Sequence, residues 1–363
     1  MNGNDGNDAN STPNYPPTTG VSVVVCCYNS EKRLPQTLAH LACQQLGEGI
    51  PWEVIVVDNA STDKTSMVAL SLWEKHVAST PLRVVYQPVQ GLSAARAMGL
   101  AKAAYEIVVF CDDDNWLADS YVDRAFHAMQ AHPDAAVLGG VGEPACETEP
   151  PPWFFRYARY YALGEQATGT GDVSDTKGYV YGAGLVLRQS AWKELELRGF
   201  KSQLTGRKGD SLASSEDREL CYALRLLGHR IYFDDTLRFK HEIPAKRLRW
   251  EYFLKMVETA QHTTPIMSLY NAALAGQAPL QKGTARWQSA IRCLDLALQV
   301  FRKPRQLIAL VRRVEGSASA VRWHQTRGAC YGWVRVGLRY AELQDAVYTL
   351  SRRRPPRSIS SDS

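Results

Sequence analysis

A chain of 363 residues and 40.4 kDa has room for one catalytic-size domain and an appendage, but not for two large domains. Hydrophobic residues at 45% and charged residues at 22% exclude wholesale disorder and fibrous architectures. The formal charge of +5 hides an asymmetry, because the chain from Lys240 onward carries 21 Lys/Arg against 8 Asp/Glu, a net of +13, and the part before it is net acidic.

Met1 to Gly20 is rich in Asn, Asp, Thr and Pro and has neither a basic n-region nor an apolar core, so residues 1–19 are predicted to be a disordered leader rather than a signal peptide. Val21–Cys27 is a β-branched, almost continuous apolar run, the signature of a strand covered on both faces. Pro35–Gln45 follows with helical spacing. Trp52–Val57 is a second buried strand ending at Asp58, and Ser61–Trp73 reads as a helix with Ser61 as its N-cap. Leu82–Tyr86, Gly91–Ala104 and Tyr105–Phe110 continue as strand, helix and strand. This alternation predicts a doubly wound α/β sheet, in which ligands bind beyond the carboxyl ends of the strands. Asp58 and Asp112 fall at those ends.

Gly139–Gly184 is less regular and carries Pro150, Pro151, Pro152 and Trp153. Gly182–Leu187 has strand composition, Ser190–Leu197 and Glu216–Leu227 are helical, and Lys201–Ser214 is a polar, Gly-containing loop. Arg230–Phe233 and Thr236–Phe239 are expected as closing strands. Beyond Lys246 the chain is mostly helical and basic, with a break near Gly276–Gly283, and Ser351–Ser363 is an Arg/Pro/Ser tail.

Eight cysteines form no paired C-x-x-C frame for zinc, and Cys26, Cys27 and Cys111 lie in apolar runs. Buried free thiols in a reducing compartment are expected. No apolar stretch approaches the roughly 18 uncharged residues of a spanning helix. The expectation is a soluble, cytoplasmic protein, peripheral on the inner face of the cytoplasmic membrane if it touches a membrane at all.

Asp112, Asp113 and Asp114 are three adjacent carboxylates at a strand end. They repel one another unless positive charge sits there, and a hard cation with oxygen ligands, Mg²⁺ or Mn²⁺, meets that need. A solvated acidic turn is the other reading. Val21–Ser30, Glu53–Thr62, Gly91–Gly99 and Val108–Asn115, followed by Glu216 and Asp217 in SSEDREL and by KHEIPAKRL, stand in the order and spacing of inverting family 2 glycosyltransferases. The sequence resembles that family from Val21 to Tyr252.

The resemblance implies a GT-A type fold of two abutting Rossmann-like halves with a mixed central sheet, over residues 20–255. A basic helical extension (256–350) and a disordered tail (351–363) would follow. It implies a nucleotide-diphosphate sugar donor, usually a UDP-sugar, and a glycan or lipid-linked glycan acceptor. Asp58 would meet the nucleobase with Tyr28 alongside, while Arg96, Asp112 and Asp113 would lie around the nucleotide. Asp114, with Asp112 and His241, would hold Mn²⁺ or Mg²⁺. Asp217, with Glu216 beside it, would take the proton of the acceptor hydroxyl. Arg247, Gly184 and Trp153 are candidates for diphosphate or acceptor contacts.

Several of these residues have plainer readings. Asp58 also suits a turn, Arg96 a surface ion pair, Tyr28 simple packing and His241 a structural role. Glu216 and Asp217 suit the first turn of a helix capped by Ser214 or Ser215. Gly182, Ala183 and Gly184 suit either a close approach of substrates or a packing strand. The aromatic set Trp153, Phe154, Phe155, Tyr157, Tyr160 and Tyr161 has the helical spacing of core more than of a sugar platform. Ile291–Val314, with Leu294, Leu296, Leu298, Val300 and Phe301 among Arg302, Lys303, Arg305, Arg312 and Arg313, suits an anionic membrane surface or a solvent-facing bundle equally. No nucleic-acid motif accompanies its charge. A non-catalytic nucleotide-sugar-binding scaffold and a nucleotidyltransferase remain as alternative functions.

Overall fold

The computed structural model describes residues 18–76, 80–204, 215–301 and 314–352. Most of the predicted leader and of the 201–214 loop, the basic 302–313 stretch and the tail from 353 lie outside them.

The sheet is built as the apolar runs require. β1 (Thr18–Cys27), β2 (Trp52–Asp58), β3 (Leu82–Tyr86) and β4 (Tyr105–Asp112) are parallel in the order β3-β2-β1-β4. The sheet continues through β8 (Val186–Arg188), β6 (Ala135–Cys146), β9 (Arg230–Ile243) and β5 (Asn115–Leu117), while the two-residue β7 (Gly171–Asp172) pairs with β9. β8 runs antiparallel between β4 and β6, β6 and β9 are parallel, and β5 is antiparallel to β9. The sheet is therefore mixed, as expected for a GT-A type fold.

Alternation along the strands divides the core between two faces. Val21, Val23, Val25 and Cys27 pack with α1 (Leu34–Ala42), α2 (Thr65–His76) and α4 (Tyr121–Ala131). Val24, Ile55, Val57, Val108 and Phe110 face α3 (Leu92–Lys102), α5 (Gln189–Leu197) and α6 (Glu216–Leu227). At the amino ends of the strands, buried Glu53 accepts from Ser22 Oγ and Ala104 N–H (2.8 Å each) and pairs with Arg83 at 2.6 Å, which closes that end structurally. The carboxyl ends stay open for the site.

Four expectations need correction. Ser61 does not cap α2, because its hydroxyl accepts from Asn29 N–H (3.0 Å) across the loop, and Asp63 accepts the Thr65 N–H instead (3.1 Å). Gly182–Leu187 is not one strand, because Gly182–Gly184 turns and β8 begins at Val186. The two closing strands are the single β9, whose bulge against β6 is held by Asp234 accepting from Thr236 N–H (2.8 Å). Finally, a boundary at residue 255 cuts through α7 (Trp250–Ala260), a continuous helix.

The C-terminal helices are not a detached unit. α7 packs Phe253 against Trp153, Tyr157 and Trp250 (ring centroids 5.1, 4.9 and 5.2 Å), within a cluster that includes Phe154 and Tyr161. α8 (Thr264–Leu274) and α11 (Tyr340–Arg352) join the core face of α6, and α9 (Lys282–Phe301) and α10 (Ala318–Val336) enclose them. No described helix is long and apolar enough to cross a membrane.

Candidate functional site

A cavity of about 620 Å³ opens at the carboxyl ends of β1 and β4, roofed by the start of α6 and the end of α7. It gathers residues far apart in sequence: Tyr28, Arg96, Asp112, Asp113, Asp114, Glu216, Asp217 and Arg247 all line it. Its wall does not include Asp58, His241, Gly184 or Trp153.

The three adjacent aspartates are handled differently. The half-buried Asp112 meets Arg96 at 3.7 Å. Asp113 is turned into the protein, where Ser30 Oγ and Arg33 donate to the same carboxylate oxygen, Arg33 at 2.6 Å, and Thr37 Oγ1 donates to its carbonyl at 2.8 Å. Burial, and then the Asp114 charge, push the Asp113 carboxyl up to about 7. The Asp113 contacts fix the turn that aims its neighbours.

Asp114 and His241 form the second feature. Asp114 Oδ2 lies 3.5 Å from His241 Nε2, and Arg247 Nη1 reaches both, at 3.4 and 3.3 Å. His241 Nδ1 lies 2.8 Å from the Tyr161 carbonyl, which can only accept. The ring proton of neutral His241 therefore sits on Nδ1, and Nε2 keeps its lone pair toward Asp114 and Arg247. Mg²⁺ and Mn²⁺ use one or two carboxylates and complete their shell with substrate phosphates and water. The donor set of Asp114 and His241 fits such a cation, although no group of three protein ligands exists among the described residues. Asp112 does not join the pair.

The third feature is the start of α6. Ser215 has positive φ (89°) and its side chain makes no cap, so Ser215 is not the capping serine of this turn, and Ser214 lies outside the described residues. Asp217 Oδ2 accepts the Gly182 N–H at 2.7 Å and Oδ1 accepts the Arg218 N–H at 2.8 Å. Arg96 donates to the Gly182 carbonyl at 3.2 Å and reaches Glu216 at 4.0 Å. Burial opposes the Arg96 charge, but Asp112 and Glu216 override it and raise its pKa. One residue, Gly182, thus links Arg96 to Asp217 through its two flanking peptides. A Cβ at Gly182 would stand 3.0 Å from Arg96 and 3.2 Å from Asp217. Gly184 has positive φ (65°) and its carbonyl accepts from Tyr121 Oη at 2.5 Å, so its role lies in the turn.

Asp58 serves the loop after β2, accepting from Ser61 N–H (2.9 Å) and Ser66 Oγ. The next residue, Asn59, lines the cavity and ties Gly91 through its Oδ1 (2.7 Å). Trp153 lies in the aromatic core and donates to Glu315 at 3.3 Å, and of its set only Tyr160 and Tyr161 reach the cavity wall.

Sequence reasoning missed the wall beside Asp217: Arg159, Tyr179, Tyr181 and Arg218. Arg218 lies over the Tyr179 ring at 4.9 Å, and Lys177, half-buried so that its pKa falls to about 8, lies over Tyr181 at 3.8 Å. The alternation of Tyr179 and Tyr181 into Gly182 is the one local signal that pointed there. Arg159 and Tyr160 reach the site through tertiary packing alone.

Residues 22–195 match the family profile described as "Glycosyl transferase family 2". The undecaprenyl-phosphate 4-deoxy-4-formamido-L-arabinose transferase of Pectobacterium carotovorum is 38% identical over 101 residues, 26% of this chain and 28% of that protein. The human dolichyl-phosphate beta-glucosyltransferase is 35% identical over 103 residues, 27% of this chain and 32% of that protein. The matches thus span about a third of the curated relatives' length. Among solved structures, S. aureus TarS 1-349 in complex with UDP matches with a TM-score of 0.48 at 18% identity, covering 92% of this chain and 90% of that one.

Proposed function

Residues 22–195 match the glycosyl transferase family 2 profile, and on that premise we infer that the chain transfers a sugar from a nucleotide-diphosphate donor, a UDP-sugar, to a hydroxyl acceptor with inversion at the anomeric carbon. The observation that carries the reading is that strand-end aspartates and the Glu216–Asp217 pair line one and the same cavity. The names of relatives that act on undecaprenyl and dolichyl phosphates support a lipid-linked or growing glycan acceptor.

The difficult step is departure of the nucleoside diphosphate, as charge accumulates on its phosphate. Arg247 lies where it can meet that charge, and Arg96 adds a second buried cation beside Asp112. Asp114 and His241 would hold Mn²⁺ or Mg²⁺, which when bound supplies Lewis-acid stabilisation of the leaving diphosphate. Tyr28, 39% exposed at the cavity edge, offers a ring for the base, and Asn59 lines the same cavity.

The acceptor hydroxyl enters from the opposite side, past Tyr179, Tyr181 and Arg218, and loses its proton to Asp217 as its oxygen attacks. General-base assistance of this kind contributes about 10²–10⁴ in rate. Two N–H donors orient the carboxylate and leave each oxygen with a lone pair for that proton. The test is release of UDP from a panel of UDP-sugars with Mn²⁺ present. Release of pyrophosphate from nucleoside triphosphates would instead mark a nucleotidyltransferase. Tight UDP binding without turnover of any donor would mark a scaffold.

A further inference from the structure

We propose that the outer face of α9, together with the adjoining end of α10, docks on an anionic lipid bilayer surface. Trp287, Ile291, Leu294 and Leu298 are 70, 54, 63 and 46% exposed. Their spacing of four, three and four residues places them in one stripe along α9. The helix already spends another apolar face on the protein: Ala285 is fully buried, and Cys293 and Leu296 pack against the core. A helix apolar on two opposed faces needs two partners, and the fold supplies one.

The stripe has a rigid support. Ser289 Oγ donates to the Gly337 carbonyl at 3.1 Å and Cys293 Sγ to the Cys330 carbonyl at 3.8 Å, which fix α9 against α10. On α10 and the turn after it, Val334 and Leu338 are 68 and 76% exposed. Leu296, which the sequence left open between a membrane surface and a packed bundle, turns inward. The surface thus belongs to a folded helix pair.

Charge selects the partner. Arg292, Arg335 and Arg339 are exposed on these same elements, and the acids beside them are Asp295 at the edge of the α9 stripe and Glu342, 3.9 Å from Arg339, which leaves the cations in excess. A second copy of the chain is the other occupant such a face could take, and sedimentation separates it from the bilayer below. Phosphate headgroups complement them, and an exposed tryptophan suits the boundary between headgroup and acyl chain. With no spanning helix among the described residues, the contact is one of lying on the surface.

The test is flotation of the full-length protein with vesicles containing phosphatidylglycerol and with vesicles of phosphatidylcholine alone. The wild type should float with the first and not the second, and added salt should release it. The Ile291→Glu/Leu294→Glu variant should lose at least about tenfold in partition while its melting temperature is unchanged. Failure of the wild type to float, flotation independent of the anionic lipid, or equal flotation of the variant would overturn the proposal. So would sedimentation in which the variant's effect is conversion of a dimer to a monomer.

Discussion

Replacing Asp217 by Asn separates chemistry from architecture at the centre of the site. The carboxylate accepts two N–H bonds, from Gly182 at 2.7 Å and Arg218 at 2.8 Å. An amide keeps one acceptor and sets its NH₂ against the other donor, so one buried hydrogen bond is lost, at a cost of about 1–3 kcal/mol. At about 2–4 °C per kcal/mol for a domain of this size, the melting temperature should fall by roughly 2–12 °C, leaving the protein folded at assay temperature. Loss of the base is larger, about 10²–10⁴ in kcat, or roughly 3–5.5 kcal/mol of barrier. The assay pairs UDP release from the accepted donor with calorimetric titration of UDP. We expect kcat to collapse while UDP affinity stays within about twofold, because the nucleotide is bound by other residues. A kcat within about tenfold of wild type would refute the assignment. So would a loss of UDP affinity that matches the loss of turnover.

Gly182→Ala should reduce kcat more than stability, since its Cβ would press on Arg96 and Asp217 rather than on core atoms; unchanged turnover would remove Gly182 from the positioning network. Asp114→Ala should abolish the enhancement of UDP binding by Mn²⁺, measured with and without EDTA, and an enhancement that persists would move the cation elsewhere. Phe253→Ala removes the ring shared by Trp153, Tyr157 and Trp250, and should destabilise by about 3–5 kcal/mol in denaturant unfolding. A loss below about 1 kcal/mol would mean that α7 is not anchored there. The Asp113 carboxyl, raised to about 7 by burial and then by Asp114, lies above its value in an unfolded chain. Its contribution to stability is therefore full below about pH 4 and is lost as pH rises through about 7. Asp113→Asn should flatten the decline in stability between about pH 5 and pH 8, and an unaltered slope would contradict this.

The first half of the fold was readable because its strands are buried on both faces and announce themselves as apolar runs. Asp58 and Asp112 could be placed at strand ends for the same reason. β6, with its glycines at Gly139, Gly140 and Gly142, lacks that signature, and the cross-sheet partners of β8 and β9 are set by long-range pairing that no local pattern encodes. Within the site, sequence named Asp112, Asp114, Glu216, Asp217, His241 and Arg247, but not the contacts that hold each in place. Asp113 looks like its neighbours and yet turns inward to Ser30 and Arg33, a choice made by α1 packing on the turn. Trp153, whose set has the spacing of core more than of a sugar platform, is buried against Phe253 of α7. Arg96, equally suited to a surface ion pair by sequence, is a buried cation between two acids. The aromatic and basic wall of Arg159, Tyr179, Tyr181 and Arg218 is assembled from three segments and has no linear motif.

The central claim is transfer from a nucleotide-diphosphate sugar through this one cavity. Its most direct test is detection of UDP released from each of a panel of UDP-sugars in the presence of Mn²⁺, by wild-type protein and by Asp217→Asn side by side. The account predicts UDP from at least one donor with wild type and close to none with the variant. UDP release from no donor, or equal release by both proteins, would contradict it.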